Sequence, residues 1–133
     1  DETKILYEAT VSATIPPAQH TVVGSNSTPE TRAIERGRLY VYDLKEDRNY
    51  PVADRLLHHL DTTIWYTDSK HIVLIENGVI YIEDYDGTNK RTVYAGPFDP
   101  SVLYAWPAGG KLVILTNFNN PQTLPNLYLL DLT

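Results

Sequence analysis

The sequence contains no cysteine and no methionine. Without cysteine the chain forms no disulfide, offers no thiol nucleophile and lacks the ligands of zinc–thiolate or iron–sulfur sites. The absence of methionine leads us to expect that the 133 residues are not a complete primary translation product, and that a segment upstream of Asp1 was cleaved or left out.

Long apolar runs and an excess of positive charge are also missing. No stretch of about 18 apolar residues occurs, so we expect no membrane span within this chain. Lysine and arginine number 11 against 17 aspartate and glutamate residues, which gives a formal net charge of −6. Because nucleic acids and anionic membranes attract basic surfaces, neither is expected as a partner.

The residues that are abundant favour strands. Ten tyrosines, two tryptophans and many valine, isoleucine and leucine residues prefer β-structure, while nine prolines and seven glycines supply turns between short strands. A chain of 133 residues is long enough for one domain with its own core. The composition therefore predicts an all-β domain.

An internal repeat of about forty residues organises most of the chain. Trp65 and Trp106 are 41 positions apart, and the turn and apolar run that follow each tryptophan match. The segment 78–87 matches 37–47 at the same offset, and 126–133 follows as a third copy 47 residues later.

Each copy of the repeat predicts four short antiparallel strands. In the best-defined copy these strands are placed at 61–66, 71–75, 79–84 and 91–95. Asn-Gly and Asp-Gly separate the last three strands, and they are strong hairpin signals because both central residues of a type I′ turn need positive φ. Four antiparallel strands that recur at this period are the signature of a β-propeller blade.

The stretch "WYTDSKHIVLIENGVIYIEDYDGTNKRTVYAG" resembles a TolB-type β-propeller repeat, with a Trp-x-x-Asp-Ser turn, an apolar strand and a strand ending in Asp-x-Asp-Gly. Residues 37–133, about three quarters of the chain, are similar more narrowly to propellers in surface proteins of uncultivated bacteria that also carry PEGA domains. The resemblance implies a partial propeller of about two and a half to three blades, at about 37–60, 61–100 and 101–133, whereas closed propellers typically have four to eight.

The first 36 residues do not follow the repeat. Residues 4–15 alternate as one long strand, and 16–36 have the composition of a loop that we expect to be exposed and mobile. This loop contains the glycosylation sequon Asn26-Ser27-Thr28. Residues 1–36 are therefore assigned as an N-terminal strand plus loop, separate from repeats at 37–133.

The third blade lacks its outermost strand. The segment 4–13 is the one unassigned strand-like stretch long enough to fill that gap. An open array leaves apolar surface in water, so we expect either self-association through incomplete blades or further blades supplied by the same protein.

The stretch "DYDGTN" at 84–89 gathers two carboxylates and an amide around Gly87, as a calcium-binding loop does. An EF-hand is excluded, because the register set by Gly87 places an isoleucine and a valine at ligand positions one and twelve. We predict a hairpin turn, in which Asp84 and Asn89 bond nearby backbone amides. A weak surface cation site is the alternative.

Two other groups contain residues found in active sites. Asp68, Ser69 and His71 have the residue types of a hydrolase triad, but they share one tight turn, whereas a working base approaches its nucleophile from a separate element. The motif G-x-S-x-G is also absent. His58 and His59 are neighbours whose side chains would point to opposite faces of a strand. We predict no catalytic, cofactor-binding or metal-binding residue.

Tyrosine recurs at one position of the repeat, as Tyr40, Tyr81 and Tyr128. These residues are candidates for contact with a ligand or partner, as a stacking platform for a sugar or peptide. The alternative is packing between blades with the hydroxyl at the rim.

The sequence favours a non-catalytic binding or scaffolding module. The resemblance implies an extracytoplasmic bacterial protein, at the cell surface or in the periplasm, with protein partners and no cofactor. The alternative is an accessory propeller of a hydrolase or peptidase whose catalytic domain lies outside this chain, since TolB-type propellers occur in both settings.

Overall fold

The computed structural model describes residues 2–20, 22–52 and 62–132. They form strands in antiparallel sheets and no α-helix, so the predicted all-β class is confirmed. It follows that these residues contain no helix capable of crossing a membrane. Residues 53–61, which include His58 and His59, lie outside the described ranges.

The described residues form twelve strands in four sheets. In chain order the strands are β1 (Lys4–Glu8), β2 (Ala13–Thr14), β3 (Ala33–Ile34), β4 (Leu39–Asp43), β5 (Arg48–Pro51), β6 (Thr63–Trp65), β7 (His71–Glu76), β8 (Val79–Asp84), β9 (Arg91–Tyr94), β10 (Leu103–Ala105), β11 (Lys111–Thr116) and β12 (Asn126–Asp131). The first sheet has the order β1-β4-β5, the second β6-β7-β8-β9 and the third β10-β11-β12, while β2 and β3 pair separately.

The second sheet has the four strands that the turn signals predict, in the predicted order. Asn77 and Gly78 both have positive φ, 50° and 75°, as the hairpin between β7 and β8 requires. Gly87 also has positive φ, 79°, in the turn between β8 and β9. Local turn chemistry therefore determines this sheet.

Three equivalent strand pairs confirm the repeat. An aspartate at the end of one strand lies opposite a basic residue at the start of its neighbour in each larger sheet, and the pairs are Asp43 with Lys4, Asp84 with His71 and Asp131 with Lys111. The Lys4 ammonium lies 3.9 Å from the Asp43 carboxylate, and His71 Nε2 lies 3.2 Å from the Asp84 carboxylate. The third pair is a direct ion pair between an ammonium and a carboxylate. The three sheets are thus versions of one unit.

The alignment of Trp65 with Trp106 is wrong by one residue. The amide of Tyr66 donates to the carbonyl of His71, and the amide of Trp106 makes the same 2.9 Å bond to Lys111. Tyr66 is therefore the equivalent of Trp106, and β6 and β7 map onto β10 and β11 at an offset of 40. Because strand side chains alternate, a slip of one residue assigns every side chain to the wrong face.

The long strand predicted at 4–15 is divided into two strands, because β2 pairs separately with β3 and the first sheet contains only β1. Strand β1 pairs with β4 in a register that places Lys4 opposite Asp43. Strand β7 pairs with β8 in the equivalent register, with His71 opposite Asp84. The segment therefore completes the first sheet and does not fill the gap in the third. It follows that the predicted boundary between residues 36 and 37 divides one sheet.

The three larger sheets are stacked, with the second in the middle. One cluster lies between the first and second sheets and includes Leu39, Val41 and Ile72. Another lies between the second and third sheets and includes Val73, Ile80, Ile82, Leu112 and Ile114. Neighbouring residues of β7 therefore pack into the two different clusters, one on each side of the second sheet. Because both sides of this strand are covered, its residues 72–75 are all apolar.

The loop after β2 covers the other side of the first sheet. The Tyr40 ring stacks on Tyr7 at 5.6 Å between centroids, and its hydroxyl accepts a 2.8 Å bond from the Glu35 amide. Buried Asn49 accepts a 2.8 Å bond from the Tyr7 hydroxyl and donates a 2.9 Å bond to the carbonyl of Thr31. The second half of the loop is therefore bonded to the first sheet, and its residues are half-buried or exposed.

Candidate functional site

The "DYDGTN" stretch is the turn between β8 and β9. The Asp84 amide donates to the Thr88 carbonyl at 2.9 Å, and the Gly87 amide donates to the Asp84 carbonyl at 2.9 Å. The Asn89 side chain donates to the Asp84 carboxylate at 2.7 Å. The predicted hairpin turn is confirmed, but Asp84 and Asn89 bond each other, and it is the Asp86 side chain that accepts a bond from a backbone amide, that of Thr88.

Asp86 bonds to its own turn and to the N-terminal loop. Its Oδ2 accepts a 2.8 Å bond from the Asn26 side chain and a 2.6 Å bond from the Thr28 hydroxyl, while its Oδ1 accepts from Thr88 at 2.6 Å. Burial opposes ionisation of Asp86 and is the largest single influence, but these hydrogen bonds together outweigh it and lower the pKa of Asp86. The carboxylate therefore ties the loop to the second sheet.

A cleft of about 440 Å³ opens beside this turn, between the first and second sheets. Lys4 contributes from β1, and His71, Asp84 and Tyr85 contribute from the second sheet. The Lys4 ammonium lies 4.7 Å from the centroid of the Tyr85 ring. Charges of both signs thus meet at one rim of the stack.

His71 lies between two carboxylates in this cleft. Its Nδ1 is 2.6 Å from Asp68 and its Nε2 is 3.2 Å from Asp84. Burial works against ionisation of Asp68, but hydrogen bonds from the Lys70 amide and from His71 outweigh it and lower the pKa of Asp68. Both ring nitrogens are engaged, so neither is available to accept a proton from Ser69, which lies in the same turn.

The oxygen donors of the cleft are likewise engaged by protein groups. Within the described ranges, no three histidine or acidic side chains are arranged to hold a metal ion. The carboxylates of Asp84 and Asp86 receive their bonds from Asn89, Asn26, Thr28 and Thr88. These hydrogen bonds join the end of β8 and the 84–89 turn to the N-terminal loop.

The three candidate tyrosines lie in different environments. Tyr40 is fully buried and stacks on Tyr7. Tyr81 is partly buried with the Lys90 ammonium 4.5 Å from its ring centroid, and Tyr128 is exposed against Phe118, with centroids 4.8 Å apart. Tyr81 lies on the side of the second sheet that faces the first sheet, whereas Tyr40 lies on the outer side of the first sheet, under the N-terminal loop.

The sequence did not reveal an exposed apolar surface on the third sheet. We define its open face as the side that turns away from the second sheet, with the apolar residues Tyr104, Val113, Leu115, Leu127 and Leu129. Leu127 is 65% exposed and Leu129 is 49% exposed. At an offset of 47, Leu127 and Leu129 correspond to two buried residues of the second sheet, Ile80 and Ile82.

The loop contacts are the other feature that the sequence missed. The side-chain amide of Asn26 donates to both Asp86 and the Tyr85 hydroxyl, so a glycan attached to this nitrogen would remove one of the two N–H groups that make these bonds. The Arg48 guanidinium donates to the Asn26 carbonyl at 2.7 Å. No local pattern signals such contacts, because the partners are far apart in the chain.

No protein-family model matches this chain, and neither does a curated protein or a solved structure.

Proposed function

We propose that the chain is a non-catalytic binding or scaffolding module, built from consecutive blades of a β-propeller. The observation that carries this proposal is the open face of the third sheet, where a continuous apolar surface has no cover among the described residues. Exposed apolar surfaces of this kind mark sites of interaction with other proteins.

The equivalence of the three sheets supports the propeller part of the proposal. Each larger sheet repeats the same pairing of an aspartate with a basic residue, and consecutive sheets pack face to face. Propeller blades are antiparallel sheets related in this way, and the second sheet has the four strands of a complete blade. The first and third sheets each have three strands.

The use of the polar side chains supports the non-catalytic part. General bases and nucleophiles need a free nitrogen or oxygen in a position to reach substrate. In the cleft, the nitrogens of His71 face Asp68 and Asp84, and Asp86 accepts bonds from the loop. These groups hold the sheets and the loop together.

A substrate screen tests the non-catalytic proposal. The purified chain should hydrolyse ester, peptide and glycoside substrates no faster than buffer does, and Ser69→Ala and His71→Ala should behave alike. Turnover that His71→Ala abolishes would contradict the proposal.

Calcium and a chelator should leave the melting temperature of the chain unchanged. A calcium-dependent rise in the melting temperature that is lost in Asp84→Ala would show a metal site instead.

The extracytoplasmic location in a bacterium belongs to the same proposal and is supported by the resemblance to TolB-type surface proteins. Fractionation of cells that express the full-length gene tests it. The protein should appear in the periplasmic or surface fraction, and recovery in the cytosol would contradict the location.

A further inference from the structure

Two turns of the second sheet place a glycine directly after an asparagine or an aspartate. They are Asn77-Gly78 between β7 and β8, and Asp86-Gly87 between β8 and β9. When the glycine nitrogen attacks the side-chain carbonyl carbon of the residue before it, a five-membered succinimide ring closes. Glycine hinders this attack least, because it has no Cβ and its backbone rotates freely. The structure decides in which of the two turns the ring can form.

The Asn77-Gly78 turn leaves its reacting groups free. Both residues are exposed, and apart from its chain neighbours nothing lies within 4 Å of a Cβ atom placed on Gly78. Within the described ranges, no hydrogen bond engages the Gly78 amide or the Asn77 side chain. Asn77 has a φ of 50°, and its rotation out of this left-handed conformation leaves both core clusters in place.

The Asp86-Gly87 turn is held by contacts that oppose the same reaction. The Gly87 amide donates to the Asp84 carbonyl at 2.9 Å, and the Asp86 carboxylate accepts a 2.6 Å bond from the Thr28 hydroxyl. A Cβ atom placed on Gly87 would lie 2.4 Å from the carbonyl oxygen of Pro51. Rotation of this turn therefore breaks contacts of the second sheet with the first sheet and with the N-terminal loop.

Asn89 shows that exposure and a left-handed conformation alone do not make an asparagine reactive. It is exposed and has a φ of 55°, like Asn77. Its side-chain amide, however, donates to the Asp84 carboxylate at 2.7 Å, and the residue that follows it is Lys90 rather than glycine. Asn89 thus lacks both the free side chain and the unhindered nitrogen.

From these observations we infer that Asn77-Gly78 is a site of spontaneous covalent modification, at which Asn77 becomes aspartate or isoaspartate in the folded chain. The Gly78 nitrogen forms a bond to the Asn77 side-chain carbonyl carbon and gives up its proton, while the side-chain nitrogen leaves as ammonia. Water then opens the ring at either carbonyl. The net reaction consumes one water and releases one ammonia, and hydroxide accelerates it by removing the amide proton.

The product weakens the middle sheet of the stack. The two-residue turn fixes the pairing of Glu76 with Val79, and isoaspartate lengthens this turn because the main chain then passes through the side chain. The new carboxylate also adds negative charge beside Glu76, in a chain whose formal net charge is already −6. Because both sides of the second sheet are packed, a loosened β7–β8 pair lowers the stability of the whole stack.

Incubation of the full chain at mildly alkaline pH, followed by peptide mapping with chromatography and mass spectrometry, tests the inference. Asn77 should convert under native conditions at a rate that rises with pH, while Asn89 and Asp86 stay intact. Gly78→Ala should slow the conversion severalfold, because a methyl group hinders the attacking nitrogen. Gly110→Ala is the matched control, since Gly110 has a φ of 74° and nothing within 4 Å of a Cβ, and it should leave the rate unchanged.

Melting temperatures measure the consequence for the fold. The aged wild type should melt below the fresh protein, whereas Asn77→Gly should lose nothing on incubation, since Gly-Gly also forms a type I′ turn. Conversion of Asn77 only in urea, or equal conversion of Asn77 and Asn89, would overturn the inference. Conversion without a fall in melting temperature would overturn its effect on the second sheet. The substrate screen tests the proposed function separately.

Discussion

Gly87 illustrates how a single residue meets two demands. Its φ is 79°, and a Cβ atom placed on it would lie 2.4 Å from the carbonyl oxygen of Pro51 in the first sheet. The turn therefore needs glycine for its backbone conformation and for the close approach of two sheets. The Asp-Gly dipeptide predicts the positive φ of this turn, whereas the close approach of Pro51 depends on how the two sheets pack.

Gly87→Ala should accordingly destabilise the chain by about 2 to 4 kcal/mol, from positive-φ strain and the collision with Pro51. Gly78→Ala is the matched control, since Gly78 has a φ of 75° and no atom within 4 Å of a Cβ. It should cost only about 1 kcal/mol. Urea denaturation measures both values, and equal losses would contradict the packing of this turn against the first sheet.

The free energy of unfolding should depend on pH in the acidic range because of the Asp86 carboxylate. Asp86→Asn should lower the free energy of unfolding at pH 7 by about 1 to 2 kcal/mol, because the amide replaces one of the acceptors of the Asn26 and Thr28 bonds. The folded-state pKa lies below that of the unfolded chain, about 3.9, so the contribution of the carboxylate is present above that pH and disappears as pH falls through the folded-state pKa.

The difference between wild type and Asp86→Asn should therefore shrink when unfolding is measured at pH 3. The control is Asp99→Asn, because the Asp99 carboxylate accepts its bonds from the amide and hydroxyl of Ser101 in its own exposed turn, and it should have little effect on stability. A difference that stays constant with pH would show that the carboxylate charge is not what holds the loop.

The free energy of unfolding should depend on pH in the alkaline range because of Tyr50. Burial raises the pKa of Tyr50 to about 12, with the Arg48 guanidinium acting in the opposite direction. The unfolded tyrosine ionises near pH 10, so the stability that this residue contributes is complete below pH 10 and is lost as pH rises towards 12. Tyr50→Phe should reduce the loss of stability measured above pH 10.

At neutral pH, Tyr50→Phe should leave the free energy of unfolding unchanged or raise it by up to about 1 kcal/mol. The hydroxyl is buried and has no hydrogen-bond partner among the described residues, so its removal leaves no group unsatisfied. A loss of more than about 1 kcal/mol would show that the hydroxyl is bonded in solution, with Arg48 as the adjacent donor.

At the scale of single elements, β1 is the strand whose place was least evident from the sequence. Its alternation predicted a strand, but the pattern gave no partner, because pairing with β4 depends on packing that joins residues more than thirty positions apart. The register places Leu6 against the second sheet and Ile5 on the opposite side.

Leu6→Ala should therefore cost about 2 kcal/mol, since it leaves a gap between the first and second sheets. Ile5→Ala is the matched control. Ile5 is 48% exposed, and its truncation should cost clearly less than that of Leu6 in thermal or urea unfolding. The reverse order would mean that β1 pairs with β4 one residue out of register.

The repeat shows which errors sequence comparison makes at this scale. The hairpins of the second sheet were predictable because Asn-Gly and Asp-Gly specify their turns locally. The equivalence of Trp65 and Trp106 was wrong because it matched two identical residues, whereas the hydrogen bonds match Tyr66 with Trp106.

At the scale of the whole molecule, the fold class and the hairpin at residues 84–89 were predictable, and the interactions of the first 36 residues were not. Composition and periodicity determine which strands form, but they do not specify long-range polar contacts such as Asp86 with Thr28. Those contacts turn a segment with loop composition into a cover for the first sheet. The stack is thus closed at one end and open at the other.

The central claim is that three equivalent sheets stack in chain order, with the open face at one end. The most direct measurement is a nuclear Overhauser spectrum of the isotopically labelled chain. We predict cross-strand contacts in the registers Lys4 to Asp43, His71 to Asp84 and Lys111 to Asp131, with contacts from Tyr66 to residues of the third sheet. Cross-strand contacts shifted by one residue, or no contact between Tyr66 and the third sheet, would contradict the account.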